Sequence, residues 1–111
     1  MVEDKDEWVP VCEVSEVAEL STLLVERGSE KICIYHLEDG IYATDDNCSH
    51  GMASLAGGYI EDDCIECPLH QGTFDIRTGK AIGAPCVKSI ATYPVKLIGT
   101  TVMLGARKNP V

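Results

Sequence analysis

NCSHGMASLAGGYIEDDCIECPLHQGTFD, residues 47–75, packs two cysteine–histidine pairs into under thirty residues. Cys48-x-His50 is followed, after sixteen residues, by Cys67-x-x-His70. Glycine, serine, asparagine and proline stand beside both pairs, the residue types that let a chain turn tightly. Gly51 and Gly72 allow the backbone to approach a bound group closely, and Pro68 stiffens the second loop. Around them, Gly57-Gly58-Tyr59-Ile60 and Cys64-Ile65-Glu66 read as short strands joined by an acidic turn at Glu61-Asp62-Asp63. Arg77-Thr78-Gly79-Lys80 reads as a further turn.

Upstream the pattern is that of an antiparallel sheet. Glu7 to Glu13 contains a proline and alternates its side chains, which suits an edge strand. Val14, Val17, Leu20 and Leu24 would fit one face of a short helix, but a turn followed by a strand over Thr22–Glu26 is the preferred reading, with Gly28-Ser29 as a hairpin turn. Lys31–His36 is β-branched and aromatic, and Asp39-Gly40 turns it into a partner strand that delivers the chain to Asn47. Downstream, Val87–Tyr93 and Val95–Leu97 resume strand composition, Ile98-Gly99-Thr100 bends the chain, and Thr101–Leu104 closes it. The expectation is an all-β single domain, residues 1–111. Its base is formed by about 1–46 and 86–111, and a small subdomain of about 47–85 is inserted between them.

Length and charge bound the function. A chain of 111 residues buries a modest core and has no room for a second catalytic domain. Eighteen acids against nine bases give a formal charge of −9, which argues against nucleic acid and anionic membrane and for a partner with a basic docking face. No run of apolar residues is long enough to span a bilayer, and MVEDKDEWVP is acidic where a secretion signal would be basic, so a soluble, cytoplasmic protein is expected. In that compartment the six cysteines read as ligands or core and not as disulfides. Cys12, Cys33, Cys64 and Cys86, set among apolar neighbours, are expected to be buried core thiols. His36 is expected to be an ordinary exposed residue at a strand end.

The order of the donors is informative. A Cys2His2 zinc finger places both cysteines first and both histidines after them, whereas each loop here offers one of each. A single tetrahedral zinc could still use the set. Two metal atoms suit it better, with Cys48 and Cys67 on one iron and His50 and His70 on the other of a two-iron, two-sulfide centre.

The runs Cys48-Ser49-His50-Gly51 and Cys67-Pro68-Leu69-His70-Gln71-Gly72 resemble the paired cluster loops of Rieske proteins. Leu55, Gly57-Gly58, Phe74-Asp75, Thr78-Gly79 and Pro85 extend the likeness, and the chain length is similar to that of the stand-alone Rieske ferredoxins of bacterial aromatic-ring dioxygenase systems. The resemblance implies a Rieske fold, an antiparallel β-sandwich or barrel base carrying the cluster-binding subdomain. It also implies one [2Fe-2S] cluster per chain on Cys48, His50, Cys67 and His70, with Gly83-Ala84-Pro85 as a third, covering loop. The implied role is one-electron transport in aromatic hydrocarbon catabolism, from an NAD(P)H-dependent flavin reductase to a terminal Rieske non-haem iron oxygenase, by a chain that is not itself an enzyme and is monomeric. Other readings are a small Rieske subunit of a fixed complex such as nitrite reductase or arsenite oxidase, or a zinc-binding structural module.

Charge counting bears on the redox potential. Two ferric ions, two sulfides and two thiolates with neutral imidazoles sum to zero, whereas four thiolates would leave the centre negative and harder to reduce. The imidazoles can also carry protons, so the potential is expected to fall with pH where the histidines of the oxidised state titrate. High-potential members of the resembled family add an inter-loop disulfide and hydroxyl donors. The corresponding positions are Ala53, Leu69, Gly72 and Phe74, and the acids Asp45, Asp46, Glu61, Asp62, Asp63, Glu66 and Asp75 further disfavour an added electron. A potential near the low Rieske limit of about −150 mV follows. Met52, Leu69, Gln71 and Pro85 would form an apolar docking rim around the histidines.

Overall fold

The computed structural model describes residues 8–48, 53–68, 72–83 and 88–109. Its organising strand is β3, Glu30–Leu37, buried along most of its length. A strand covered on both faces reads as a continuous apolar run, and KICIYHL is such a run. Because successive side chains point to opposite faces, β3 feeds two cores. Ile32 and Ile34 pack on one side with Val17, Ala43, Tyr93, Val102 and Leu104. Cys33, Tyr35 and Leu37 pack on the other with Cys48, Leu55, Ile65, Cys67, Phe74 and Ile76. Each isoleucine removed from water in this way stabilises the fold by about 2 kcal/mol.

β3 is the middle strand of a sheet with β2, Thr22–Arg27, and β4, Gly40–Asp45. Both pairings are antiparallel, with Leu23 and Ala43 flanking Ile34. β1, Val9–Glu13, pairs with β10, Thr101–Leu104, which pairs in turn with β9, Val95–Ile98. Pro10 is tolerated because β1 is the sheet edge, and the register shifts between Pro10 and Cys12. These two sheets share the core around Ile32 and Ile34, so the strands expected of the base are present except the one read over Val87–Tyr93.

The third sheet lies wholly within residues 59–83. Its order is β5 (Tyr59–Glu61), β6 (Cys64–Glu66), β7 (Thr73–Asp75) and β8 (Ala81–Gly83), all antiparallel. Asp62 and Asp63 join β5 to β6 with φ of 51° and 66°. Two consecutive left-handed residues give a hairpin turn whose twist matches that of the strands. Aspartate tolerates this conformation better than most side chains.

Several expectations are corrected. β7 and β8 are strands, although nothing in their composition marks them as such. The segment Lys88–Tyr93 is not a strand: it touches the sheets through single bridges of Thr92 to Thr44 and to Lys108. Pro94, which has no N–H to donate, separates this segment from β9. Val14–Glu16 forms one short 3-10 turn in place of the helix alternative. Of the four expected core thiols, Cys33 is fully buried, whereas Cys12 and Cys64 are only partly so. Cys86 lies outside the described residues. His36 is half-buried, with Nδ1 2.8 Å from the Val17 carbonyl, because the 18–21 loop folds back over β3 through Leu20 N–H to His36 O and His36 N–H to Ser21 O.

Candidate metal centre

The two cysteine loops are closed in the same way. β4 ends at Asp45, and Asp46 continues the pairing by donating its N–H to the Lys31 carbonyl. Asn47 then bridges Ser54, and the Cys48 N–H donates to Ala53 O at 2.9 Å. In the second loop Glu66 pairs with Thr73, and the Cys67 N–H donates to Gly72 O at 2.8 Å. Each loop therefore opens with a cysteine whose amide is bonded to the carbonyl five residues on.

Both cysteines are completely buried and belong to one apolar cluster. Ala53, Leu55, Ile65 and Phe74 line the same cluster, which also receives Cys33 and Tyr35 from β3. A buried pair of soft sulfur donors at the bases of two matched loops fits a thiolate-ligated metal. His50, Gly51, Met52, Leu69, His70, Gln71 and the Ala84-Pro85 part of the expected third loop lie outside the described residues. Among the described residues no group of three or more potential ligands comes together, since two of the four expected donors are not among them. Gly83 ends β8 opposite Thr73, so that strand brings the chain toward the foot of the second loop.

The surroundings of the thiols lack hydroxyl donors at the two positions anticipated, Gly72 and Phe74, and Ala53 stands where an inter-loop disulfide would need a cysteine; all three are buried. The seven acids around the loops do not stand alike. Asp45 is paired with Arg107 at 2.7 Å and accepts the Tyr93 hydroxyl. Asp63 is paired with Arg77 at 2.8 Å, and Asp75 accepts the backbone N–H groups of Arg77 and Thr78. Glu61 and Asp62 face solvent. Asp46 alone is buried, 3% exposed, and its Oδ1 accepts the Ala56 N–H at 2.9 Å.

Burial pushes the Cys33 thiol above its ordinary range, eased by the Tyr35 side chain and reinforced by the Asp46 charge. Cys33 is therefore held as a neutral core thiol. Sequence reasoning also missed Arg77, whose guanidinium joins the insertion to the base. It bonds Asp63, Asp39 at 2.7 Å and the Tyr42 hydroxyl, and it stacks on the Tyr42 ring. No local signal could have found it, because its partners come from a hairpin 35 and 38 residues earlier in the chain.

Comparison with known proteins is consistent with this geometry. The Rieske [2Fe-2S] domain family matches residues 7–94. The ferredoxin component of the naphthalene 1,2-dioxygenase system of Pseudomonas putida is 44% identical over 97 residues, which is 87% of this chain and 93% of the relative. In structure, the ferredoxin of Sphingomonas yanoikuyae B1 superposes with a TM-score of 0.85 at 34% identity, covering 90% of this chain and 99% of that one. A chain from the complex of reduced oxygenase and oxidised ferredoxin in carbazole 1,9a-dioxygenase superposes with a TM-score of 0.86 at 32% identity, covering 98% of this chain and 100% of that one.

Proposed function

The chain belongs to the Rieske [2Fe-2S] ferredoxins, the family of the ferredoxin components of aromatic-ring dioxygenase systems, and from that premise we propose that it carries single electrons from a flavin-dependent NAD(P)H reductase to a terminal oxygenase. Cys48 and Cys67 would hold one iron of the cluster, and His50 and His70 the other. When bound, the cluster supplies reversible one-electron chemistry at a potential set by its ligands and surroundings. The observation that carries the reading is the matched pair of loops, each placing a fully buried cysteine in one shared apolar cluster.

The residues of the chain have separate tasks in this scheme. Ala53, Leu55, Ile65 and Phe74 exclude water from the thiolate side. With Ala53 and Leu69 where an inter-loop disulfide would need cysteines, and Gly72 and Phe74 where hydroxyl donors would raise the potential, the low end of the Rieske range is expected, about −150 mV. Electrons would pass to docked partners by way of His50 and His70. The acidic surface, with a formal charge of −9 for the whole chain, steers basic docking faces toward the protein. Residues 47–85 act as the cluster-binding subdomain on the base, and the working state is a cytoplasmic monomer. No helix of the described residues is long and apolar enough to cross a membrane.

The reading is tested on purified protein by electron paramagnetic resonance and a redox titration, followed by reduction with candidate reductases and reoxidation by a panel of oxygenases. A brown protein with a low average g value and a midpoint near about −150 mV is expected. A midpoint above about +100 mV, or a colourless zinc protein, overturns it. The structural likeness to a nitrite reductase small subunit, at 21% identity, reflects the fold alone. Turnover with a nitrite reductase and none with oxygenases would replace the carrier role by that of a fixed subunit.

A further inference from the structure

Among the described residues, Asp46 is the only charged side chain in the interior. It sits two positions before Cys48, where β4 has ended and the first cysteine loop begins. Three of its polar atoms are committed. Its N–H donates to Lys31 O at 3.0 Å, its carbonyl accepts the Leu55 N–H at 2.7 Å, and Oδ1 accepts the Ala56 N–H at 2.9 Å. The loop that returns after Cys48 is therefore fastened at both of its outgoing amides to one residue. Ala56 is held in turn, since its carbonyl accepts the Thr22 hydroxyl at 2.6 Å.

Burying a carboxylate costs several kcal/mol unless it is well bonded, so its retention in an otherwise apolar interior requires an explanation. No lysine or arginine pairs with it among the described residues. An amide acceptor of the same shape, asparagine, could bond Ala56 equally well without a charge. The clamp alone does not account for the charge. The carboxylate lies beside the cluster that holds Cys48 and Cys67: burial raises the Cys33 thiol and the Tyr35 phenol of that cluster most, and the Asp46 charge adds a last, smaller contribution at each. In a low-dielectric interior such a field is screened far less than that of a surface acid.

We propose that Asp46 is a positioning residue of the cluster with two separable effects: its acceptor atoms fix the geometry of the Cys48 loop, and its buried negative charge holds the potential low by opposing the incoming electron. The inference rests on the assignment of Cys48 as an iron ligand. It goes beyond that assignment in naming one acid, out of the seven close in sequence, as the one that tunes the centre. Asp45 and Asp63 are offset by arginines, Asp75 accepts two backbone N–H groups at an exposed turn, Glu61 and Asp62 are screened by water, and Glu66 is only partly buried.

The experiment compares D46N, D46A and the surface control E61Q with the parent holoprotein. Midpoint potential is read by titration, cluster retention by the decay of visible absorbance in chelator, and the clamp by hydrogen exchange of the Leu55 and Ala56 amides. D46N keeps the acceptor and removes the charge, so an upward shift of midpoint is expected with near-parental retention. D46A removes both, and should shed the cluster at least tenfold faster with lost protection of Ala56. E61Q should leave all three readings unchanged. A D46N midpoint equal to that of the parent or of E61Q overturns the charge effect, and parental retention and protection in D46A overturn the clamp. If either variant does not load with iron, amide protection of Leu55 and Ala56 in unloaded parent and variant decides the clamp. Potential and spectrum of the parent report on the ligand assignment independently: a parent without a [2Fe-2S] signal fails that assignment, whatever the variants do.

Discussion

Tyr35 and Thr44 provide a test of the core in which the order of the hydrogen bonds determines the outcome. They are diagonal neighbours across β3 and β4, Thr44 lying opposite Cys33, and both are fully buried. Their hydroxyl oxygens are 2.8 Å apart, and Thr44 Oγ1 donates to Asp45 O at 2.8 Å. With the threonine proton so used, the bond between them is donated by the tyrosine. Burial holds the Tyr35 phenol well above its ordinary value, so that donor is always protonated. Tyr35→Phe removes the donor and leaves Thr44 still bonded to Asp45, at about 1 kcal/mol. Thr44→Val is near-isosteric but leaves the phenol buried without an acceptor, at about 1–3 kcal/mol, and takes a donor from Asp45 O as well. The double variant no longer has a stranded phenol, so it should lose less than the sum of the two. At about 4–8 °C for each kcal/mol in a domain of this size, Thr44→Val is expected to fall roughly 4–24 °C and Tyr35→Phe roughly 4–8 °C. Thermal scans of the four proteins at equal cluster loading give these differences without requiring an absolute unfolding free energy, which a bound cofactor makes ill-defined. Equal losses for the two single variants, or strict additivity in the double, would refute the assigned donor order.

Adjacent glycines should respond oppositely to alanine. A Cβ at Gly58 would meet the Glu66 carbonyl oxygen across β5 and β6, whereas one at Gly57 meets nothing within 4 Å. Gly57→Ala should therefore stay within about 0.5 kcal/mol of the parent, while Gly58→Ala loses soluble yield and cluster absorbance together. Gly79→Ala should resemble Gly58→Ala, since φ there is +78° and a Cβ would strike the Ile90 carbonyl; a parental melting temperature would contradict either claim. Stability should decline in alkali. Burial pushes the Cys33 thiol and the Tyr35 and Tyr93 phenols upward, with the Asp45 charge assisting at Tyr93. The unfolded chain releases these protons near about 8.5 for the thiol and about 10 for the phenols while the native state keeps them, so the native state binds more protons there and stability falls as pH rises beyond those values. Melting temperatures measured from pH 7 to 11 should drop above about pH 8.5, and Tyr93→Phe should flatten the part above about pH 10; a level profile in the parent would sink the argument.

How far the sequence could be read depended on whether the controlling interaction was local. The Asp39-Gly40 hairpin and the buried run of β3 announce themselves, because turn chemistry and side-chain period are properties of neighbouring residues. The same holds for the acidic turn at Asp62-Asp63 and for the spacing of the cysteine–histidine pairs. β7 and β8 are invisible for the opposite reason. Each is three residues long, and each is a strand only because β6 and β7 offer free edges beside it. Lys88–Tyr93 erred in the other direction: its composition suits a strand, but Pro94 cannot extend the pairing, and the segment is left with single bridges at Thr92, to β4 on one side and Lys108 on the other. Cys12 was misjudged because its neighbours are apolar while it stands on an edge strand at a register shift, where burial is set by what covers the edge.

The same division between local and distant causes governs the electrostatics of the site. Counting acids near Cys48 and Cys67 yields seven charges of one sign, and a count treats them as equal. Folding separates them, because Arg107 arrives from the C-terminal segment to meet Asp45, and Arg77 reaches from beyond β7 to Asp63 and Asp39. Only Asp46 is carried inward, at the single point where β4 stops pairing and the chain must turn into the cysteine loop. An acid there satisfies the Ala56 amide that the turn leaves open, which a buried backbone demands of some acceptor. The charge comes with the oxygen, whereas an asparagine would close the turn with the same acceptor and no charge.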